Sequence, residues 1–319
     1  RKGFSGEEFY SADNHPSGAV FSYYLKDGLK TIKQNRQAAE KKAQKEGKNT
    51  PFPNIDKLRA EDEEEKPALI FTISDNEGNV VRKLSAPVSK GFHRLEWDYR
   101  SPSGAPITNA VTRGYYGPPT GYYNLPGTYT VSLAKRVGGE TTNLSEPQSF
   151  VVKDLFKGIF DSKNHDVLSE DWKKIWDLRR AVQGASLSLG EVNSRIGFVM
   201  KALDEMTNST EVQMSKLRSI KVQASNLQIV MNGDRTLSRI GKSVPMAILQ
   251  RVNAIAGAQF NNFSDVTADH KKSFNIAREE FIEALADLKS ITRDLGALER
   301  ELDGIGPWTM GRLPDWNPN

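Results

Sequence analysis

Apolar positions follow two rhythms along this chain of 319 residues. Up to about residue 153 they fall in short runs separated by Gly and Pro. From 154 to 303 they recur at helical spacing and Pro is almost absent. The first rhythm predicts strands and the second predicts long helices.

The strand-like runs are short and regular. Gly18–Lys26 (GAVFSYYLK) is rich in β-branched and aromatic residues. Ala68–Asp75 alternates Leu69, Phe71 and Ile73 against Ala68, Ile70 and Thr72. A turn carrying Gly78 leads on to a partner run, NVVRKL. Gly91–Arg100 (GFHRLEWDYR), Gly127–Val137 and QSFVVK follow, with Gly138–Gly139 as a tight turn. Six or seven such strands predict an antiparallel β-sandwich over 17–153. A charged helical insert, 27–66, interrupts it. Gly47 ends a first helix there, and Pro51 and Pro53 keep the next stretch extended. The long Gly/Pro/Tyr segment between Tyr99 and Gly127 is either a functional loop or a covering flap.

The helical rhythm is clearer. Ile175, Val182, Leu189, Ile196 and Leu203 lie seven apart on a helix expected over about 169–206, with Ser169 as its N-cap. Leu217, Ile220, Ala224, Leu227 and Met231 mark a second helix, about 210–232, closed by Gly233. A shorter helix starting at Pro245 is expected over about 244–258. The last, about 265–302, carries Phe274, Phe281, Leu288, Leu295 and Leu302 beside Ala277, Ala284, Ile291 and Leu298. Sustained spacing of this kind predicts an antiparallel, coiled-coil-like bundle of three long helices over 154–303. Residues 1–16 read as a connector from an upstream domain, and 304–319 as an irregular tail.

Composition narrows the function classes. Mean hydropathy is −0.56, and no apolar run approaches the ~18 residues of a membrane span. There is no cysteine, so neither a disulfide framework nor a thiolate zinc site exists. The opening Arg-Lys-Gly, without Met or a signal-peptide pattern, reads as a piece of a longer precursor. Net charge is +4. The dense basic block Lys26–Lys48 has acidic Glu61–Glu65 close behind it, and no stacking aromatics stand beside it. The two blocks are expected to pair or stay solvated, and nucleic-acid binding is not expected.

Candidate chemistry is sparse. His93, Glu96 and Asp98 stand close together, but strand parity puts His93 on the face opposite both acids. The remaining histidines, His15, His165 and His270, show no ligand spacing. No nucleophile elbow, phosphate loop or dinucleotide fingerprint occurs. No catalytic residue, cofactor or metal is expected. Asp75–Gly78 (DNEG) reads as a hairpin turn. Four tyrosines, Tyr115, Tyr116, Tyr122 and Tyr123, could form a sugar- or peptide-stacking face. Trp308 and Trp316 in the tail are expected to dock on the bundle end, on the sandwich or on an upstream domain, and so count as candidate partner contacts.

Two resemblances sharpen these expectations. DNEGNVVRKLSAPVSKGFHRLEWDYR with LPGTYTVSL downstream resembles the Ig-like domain of the flagellar hook-capping type. That resemblance implies that Leu84, His93, Leu95, Trp97, Tyr129 and Val131 line or edge an Ig-like sandwich. Over about 10–316, the segments ADNHPSGAVFSYYLKDGLKT, LRAEDEEEKPALIFTISD and GPWTMGRLPDW resemble the C-terminal region of exported bacterial proteins with sortilin-type, BNR (Asp-box) β-propellers. Such proteins are often labelled glycosyl hydrolases. The resemblance implies a propeller upstream of residue 1, and no Asp-box repeat occurs here. It implies a periplasmic, cell-surface or secreted location. The expected role is a non-catalytic scaffold or docking region that binds the propeller or another envelope protein. The alternative is a carbohydrate-binding accessory region of a glycan-processing hydrolase.

Overall fold

The computed structural model describes residue 15 and residues 17–107, 120–155, 158 and 161–302. It combines antiparallel sheets with helices. The chain divides into two compact units, Arg1–Pro102 with Tyr123–Lys157, and Ser103–Tyr122 with Gly158–Asn319.

The first unit holds β1 (Ala19–Leu25), β2 (Ala68–Ser74), β3 (Val80–Ala86), β4 (Gly91–Trp97), β5 (Gly127–Val137), β6 (Glu140–Asn143) and β7 (Gln148–Val152). Among the described residues β1 pairs only with β4, Ala19 opposite Trp97 and Leu25 opposite Gly91. The other sheet runs β3-β2-β5, with β7 on the first half of β5 and β6 on its second half. Gly138 and Gly139 both have positive φ, 60° and 82°, which a two-residue hairpin turn between β5 and β6 requires. Side chains alternate in burial along β2 and β4, as a half-buried sheet demands.

The inner faces of the two sheets supply the same apolar clusters. Tyr23 of β1 meets Phe71 of β2, ring centroids 5.4 Å apart. Trp97 is fully buried among Tyr99, Tyr129 and Phe150, all edge-on to its ring. A Cβ on Gly18 would lie 2.1 Å from the Trp97 carbonyl oxygen, so only glycine lets the chain enter β1 there. β4 ends at Trp97. Tyr99, with φ 59°, turns the backbone out of the strand, and its carbonyl accepts hydrogen bonds from the backbone and side-chain nitrogens of Asn124.

Two helices fill the insert. α1 (Ile32–Lys45) has a complete capping box, Thr31 with Gln34. α2 (Ile55–Glu63) is capped by Asn54, so helix replaces the extended chain expected after Pro53. The acidic run ends up at the base of this hairpin. Arg36 holds Glu61 at 2.5 Å and 2.8 Å, Glu64 accepts the Ile32 N–H, and Glu65 pairs with Arg136 of β5.

The second unit contains α3 (His165–Glu205), α4 (Glu211–Asn232), α5 (Arg235–Arg239), α6 (Ile248–Gln259) and α7 (Ala268–Glu301). The seven-spaced residues of α3 are all buried, and so are those of α4. α7 buries its Ala277–Leu298 series and Phe281, Leu288 and Leu295, whereas Phe274 is only half-buried. One continuous apolar core joins α3, α4, α6 and α7. The starts of three helices differ from expectation, in α3 and α7 because another side chain reaches the free N–H groups. Asn164, not Ser169, caps α3, so the cap lies five residues earlier and the helix begins at His165. Thr267 caps α7. α6 begins after Ala247, two residues beyond Pro245. Gly233 closes α4 with φ 92°.

Candidate functional site

The His93, Glu96 and Asp98 side chains do not converge. The His93 ring stacks on Tyr23 at 5.2 Å, and its Nε2 lies 2.7 Å from the Ser89 carbonyl oxygen. Glu96 accepts the Gly18 N–H at 2.8 Å, and Asp98 accepts the Arg100 N–H at 3.1 Å. Each group serves its own local turn or strand entry. Asp75 behaves the same way, accepting the N–H groups of Glu77 and Asn79 in the β2–β3 turn.

The four candidate tyrosines do not present one described surface. Tyr122 packs against Trp172 and Trp176 of α3, with centroid distances of 5.9 Å and 5.5 Å. Trp172 donates to Gln259 at 3.1 Å and meets Phe263 edge-on. Tyr123 bridges to Arg100, whose guanidinium carbon stands 3.7 Å from the ring centroid. That cation–π contact occupies a face a sugar would need. Tyr115, Tyr116, Trp308 and Trp316 lie outside the described residues. So do the connector up to residue 16, apart from His15, and the tail 304–319.

A different feature stands out in the helical unit. A groove of about 640 Å³ runs between α3 and α7. The α3 wall is Ala181, Gly184, Ala185 and Ser188, small residues at three- and four-residue spacing. The α7 wall carries Phe281, Leu285 and Leu288. Lys289 and Arg293 stand on its rim, with Glu191 and Arg195 on the α3 side. Glu299, almost fully buried, binds Arg195 through two hydrogen bonds of 3.0 Å and 2.5 Å, and this partnership raises the Arg195 pKa. Arg195 is thereby neutralised, Arg293 pairs with Asp294 at 3.3 Å, and Lys289 and Glu191 are left with opposite charges on the two sides of the rim. Ile282 is exposed nearby on α7 and Leu187 on α3.

Periodicity of large apolar residues could not reveal this groove, because its α3 wall is defined by missing side chains. The available clue was three small residues, 181, 184 and 188, sharing one helix face outside the seven-spaced series.

Perturbed groups lie in structural settings. Burial pushes the Tyr129 hydroxyl up to about 12, while it donates to the Leu125 carbonyl at 2.5 Å. Burial lowers the pKa of Arg179, whose Nε donates to Asn253 at 2.9 Å. The Arg36 guanidinium holds the Glu61 carboxyl below its ordinary value. Among the described residues no three His, Asp or Glu side chains are grouped to hold a metal ion. No described helix is long and apolar enough to cross a membrane. No protein-family model, curated protein or solved structure matches the chain.

Proposed function

We propose that this chain is a non-catalytic docking region of an exported β-propeller protein. Its first unit would be an Ig-like sandwich of the hook-capping type, and its second an antiparallel helical bundle that grips a partner. Two details support the Ig-like reading. The Tyr129 hydroxyl reaches back to the Leu125 carbonyl, as the tyrosine corner of such domains does. Trp97 fills the space between the two sheets.

The observation that carries the docking role is the groove between α3 and α7. Glycine inside a helix costs about 1 kcal/mol relative to alanine. A Cβ on Gly184 would meet nothing within 4 Å, so packing inside this chain does not demand glycine there. A partner helix lying close against Gly184 and Ser188 would. Half-buried Leu285, with the exposed edges of Phe281 and Leu288, then borders the partner, and Lys289 favours an acid flanking the partner's apolar stripe. The occupant is an acid-flanked amphipathic helix of the propeller protein or of an envelope partner.

This chain has no cysteine of its own, so thiol reactivity offers a test. Cysteine installed as Ser188→Cys should react quickly with a thiol reagent in the isolated chain. In the assembled parent protein it should react at least about tenfold more slowly, since closing the groove removes the open form that reacts. Lys221→Cys, on an exposed face of α4, is the control and should react equally in both. Equal rates at Ser188→Cys in both settings would reject the docking role.

A further inference from the structure

We propose that the tip of the α1–α2 hairpin is a docking surface for an anionic lipid membrane. This goes beyond the groove reading and rests on different residues. Charge is segregated along the hairpin. Three acids of Glu61–Glu65 are engaged at its base by Arg36, the Ile32 N–H and Arg136. The tip lies away from them. With a rise of about 1.5 Å per residue, the ends of the two helices at the tip stand about 9–14 Å beyond the Arg36–Glu61 clamp.

Residues 41–59 carry six Lys or Arg against two acids, a net +4. Both acids are already paired locally, Glu46 with Lys48 and Asp56 with Arg59. Lys41, Lys42, Lys45 and Lys57 are exposed and make no ion pair among the described residues. Lysines at a helix C-terminus complement the backbone dipole, which accounts for Lys42 and Lys45 in part. It does not account for Phe52. That ring is 85% exposed, at the tip, between Pro51 and Pro53, with Ile55, 62% exposed, three residues further on. Flanking prolines hold the backbone extended and present the ring without packing it.

A large apolar side chain surrounded by unpaired lysines matches the membrane interface. The ring enters the acyl boundary while the ammonium groups meet lipid phosphates. A folded acidic protein would satisfy the lysines but would need its own apolar pocket for Phe52. A bilayer supplies both chemistries at once.

Vesicle flotation of the whole chain tests this. Phosphatidylcholine vesicles containing phosphatidylglycerol should carry the protein upward, and phosphatidylcholine alone should not. Each lysine near an anionic surface contributes about fivefold in partitioning. Replacing Lys41, Lys42 and Lys45 together by Gln should therefore weaken binding about 100-fold. Phe52→Ala should weaken it about tenfold while keeping the preference for anionic lipid. These side chains are exposed, so circular dichroism should be unchanged for both variants. Failure to float with anionic vesicles overturns the proposal, as does binding that is indifferent to both variants. Capture by soluble polyglutamate or RNA, with the same lysine dependence and without vesicle binding, also overturns it.

Discussion

Tyr129 gives a stability prediction with a defined pH window. Its hydroxyl donates to the Leu125 carbonyl at 2.5 Å, and the residue is 7% exposed. Phenylalanine keeps the ring contacts with Trp97 and Phe150 and deletes only the hydroxyl. Near neutral pH, Tyr129→Phe should cost about 1–2 kcal/mol, the price of a buried carbonyl left without its donor. Burial raises the folded hydroxyl from an ordinary 10 to about 12. A folded pKa above the unfolded one means that the stabilisation is complete below the unfolded value. It is then lost as pH climbs from about 10 towards 12, where the unfolded chain releases a proton that the folded chain retains. Two units correspond to about 2.7 kcal/mol, or about 2 kcal/mol once solvent near the hydroxyl is allowed for. The wild-type advantage should therefore shrink across that window and vanish near pH 12. Urea unfolding of both proteins, followed by far-ultraviolet circular dichroism at a series of alkaline pH values, reads the difference directly. Tyr23 and Tyr99 are also raised by burial, but they remain in both proteins and cancel. A stability difference that stays constant through the alkaline range would refute the argument.

Other perturbations test other parts of the structure. Gly18→Ala places a methyl group against the Trp97 carbonyl and should destabilise the first unit by at least about 2 kcal/mol in urea unfolding. Leu189→Ala opens a cavity in the helical core, where Leu189 is fully buried, and should cost about 3 kcal/mol. Glu299→Ala strands Arg195 and should cost about 2–3 kcal/mol, whereas the paired change Arg195→Met with Glu299→Leu should recover most of it. Glu61 has a depressed pKa, so its contribution is present above the ordinary carboxylate range and fades as pH falls through the lowered value. Protection of the α2 amides, relative to their intrinsic exchange, should fall in that acid range, and Glu61→Gln should lower it already at neutral pH.

What could be read from the sequence depended on the kind of pattern involved. Burial along β4 follows residue parity, because neighbouring strand positions face opposite ways, and parity alone separates His93 from Glu96. Seven-residue spacing identifies the buried stripe of α3 from Ile175 to Leu203, because residues seven apart return to the same face of a helix. Local competition was harder to see. Ser169 and Asn164 are both good caps, and only the backbone path shows that Asn164 wins. α2 and α5 are too short for a period to declare itself. Tyr122 and Tyr123 looked like one aromatic face, yet neighbours in extended chain point apart, one ring to Trp172 and Trp176, the other to Arg100.

The two proposed surfaces were hidden for opposite reasons. The groove depends on Ala181, Gly184 and Ser188, which a search for large apolar residues passes over. The hairpin tip depends on which charges remain unpaired. The linear sequence shows basic Lys26–Lys48 beside acidic Glu61–Glu65 and predicts mutual cancellation. Between the two helices, basic and acidic blocks cancel where they meet, at Arg36 and Glu61, because α1 carries its later lysines away from the acidic run by about 1.5 Å for every residue added. A net charge close to zero over the insert as a whole thus coexists with a basic, aromatic-tipped end. Distance along two short helices, more than composition, creates that surface.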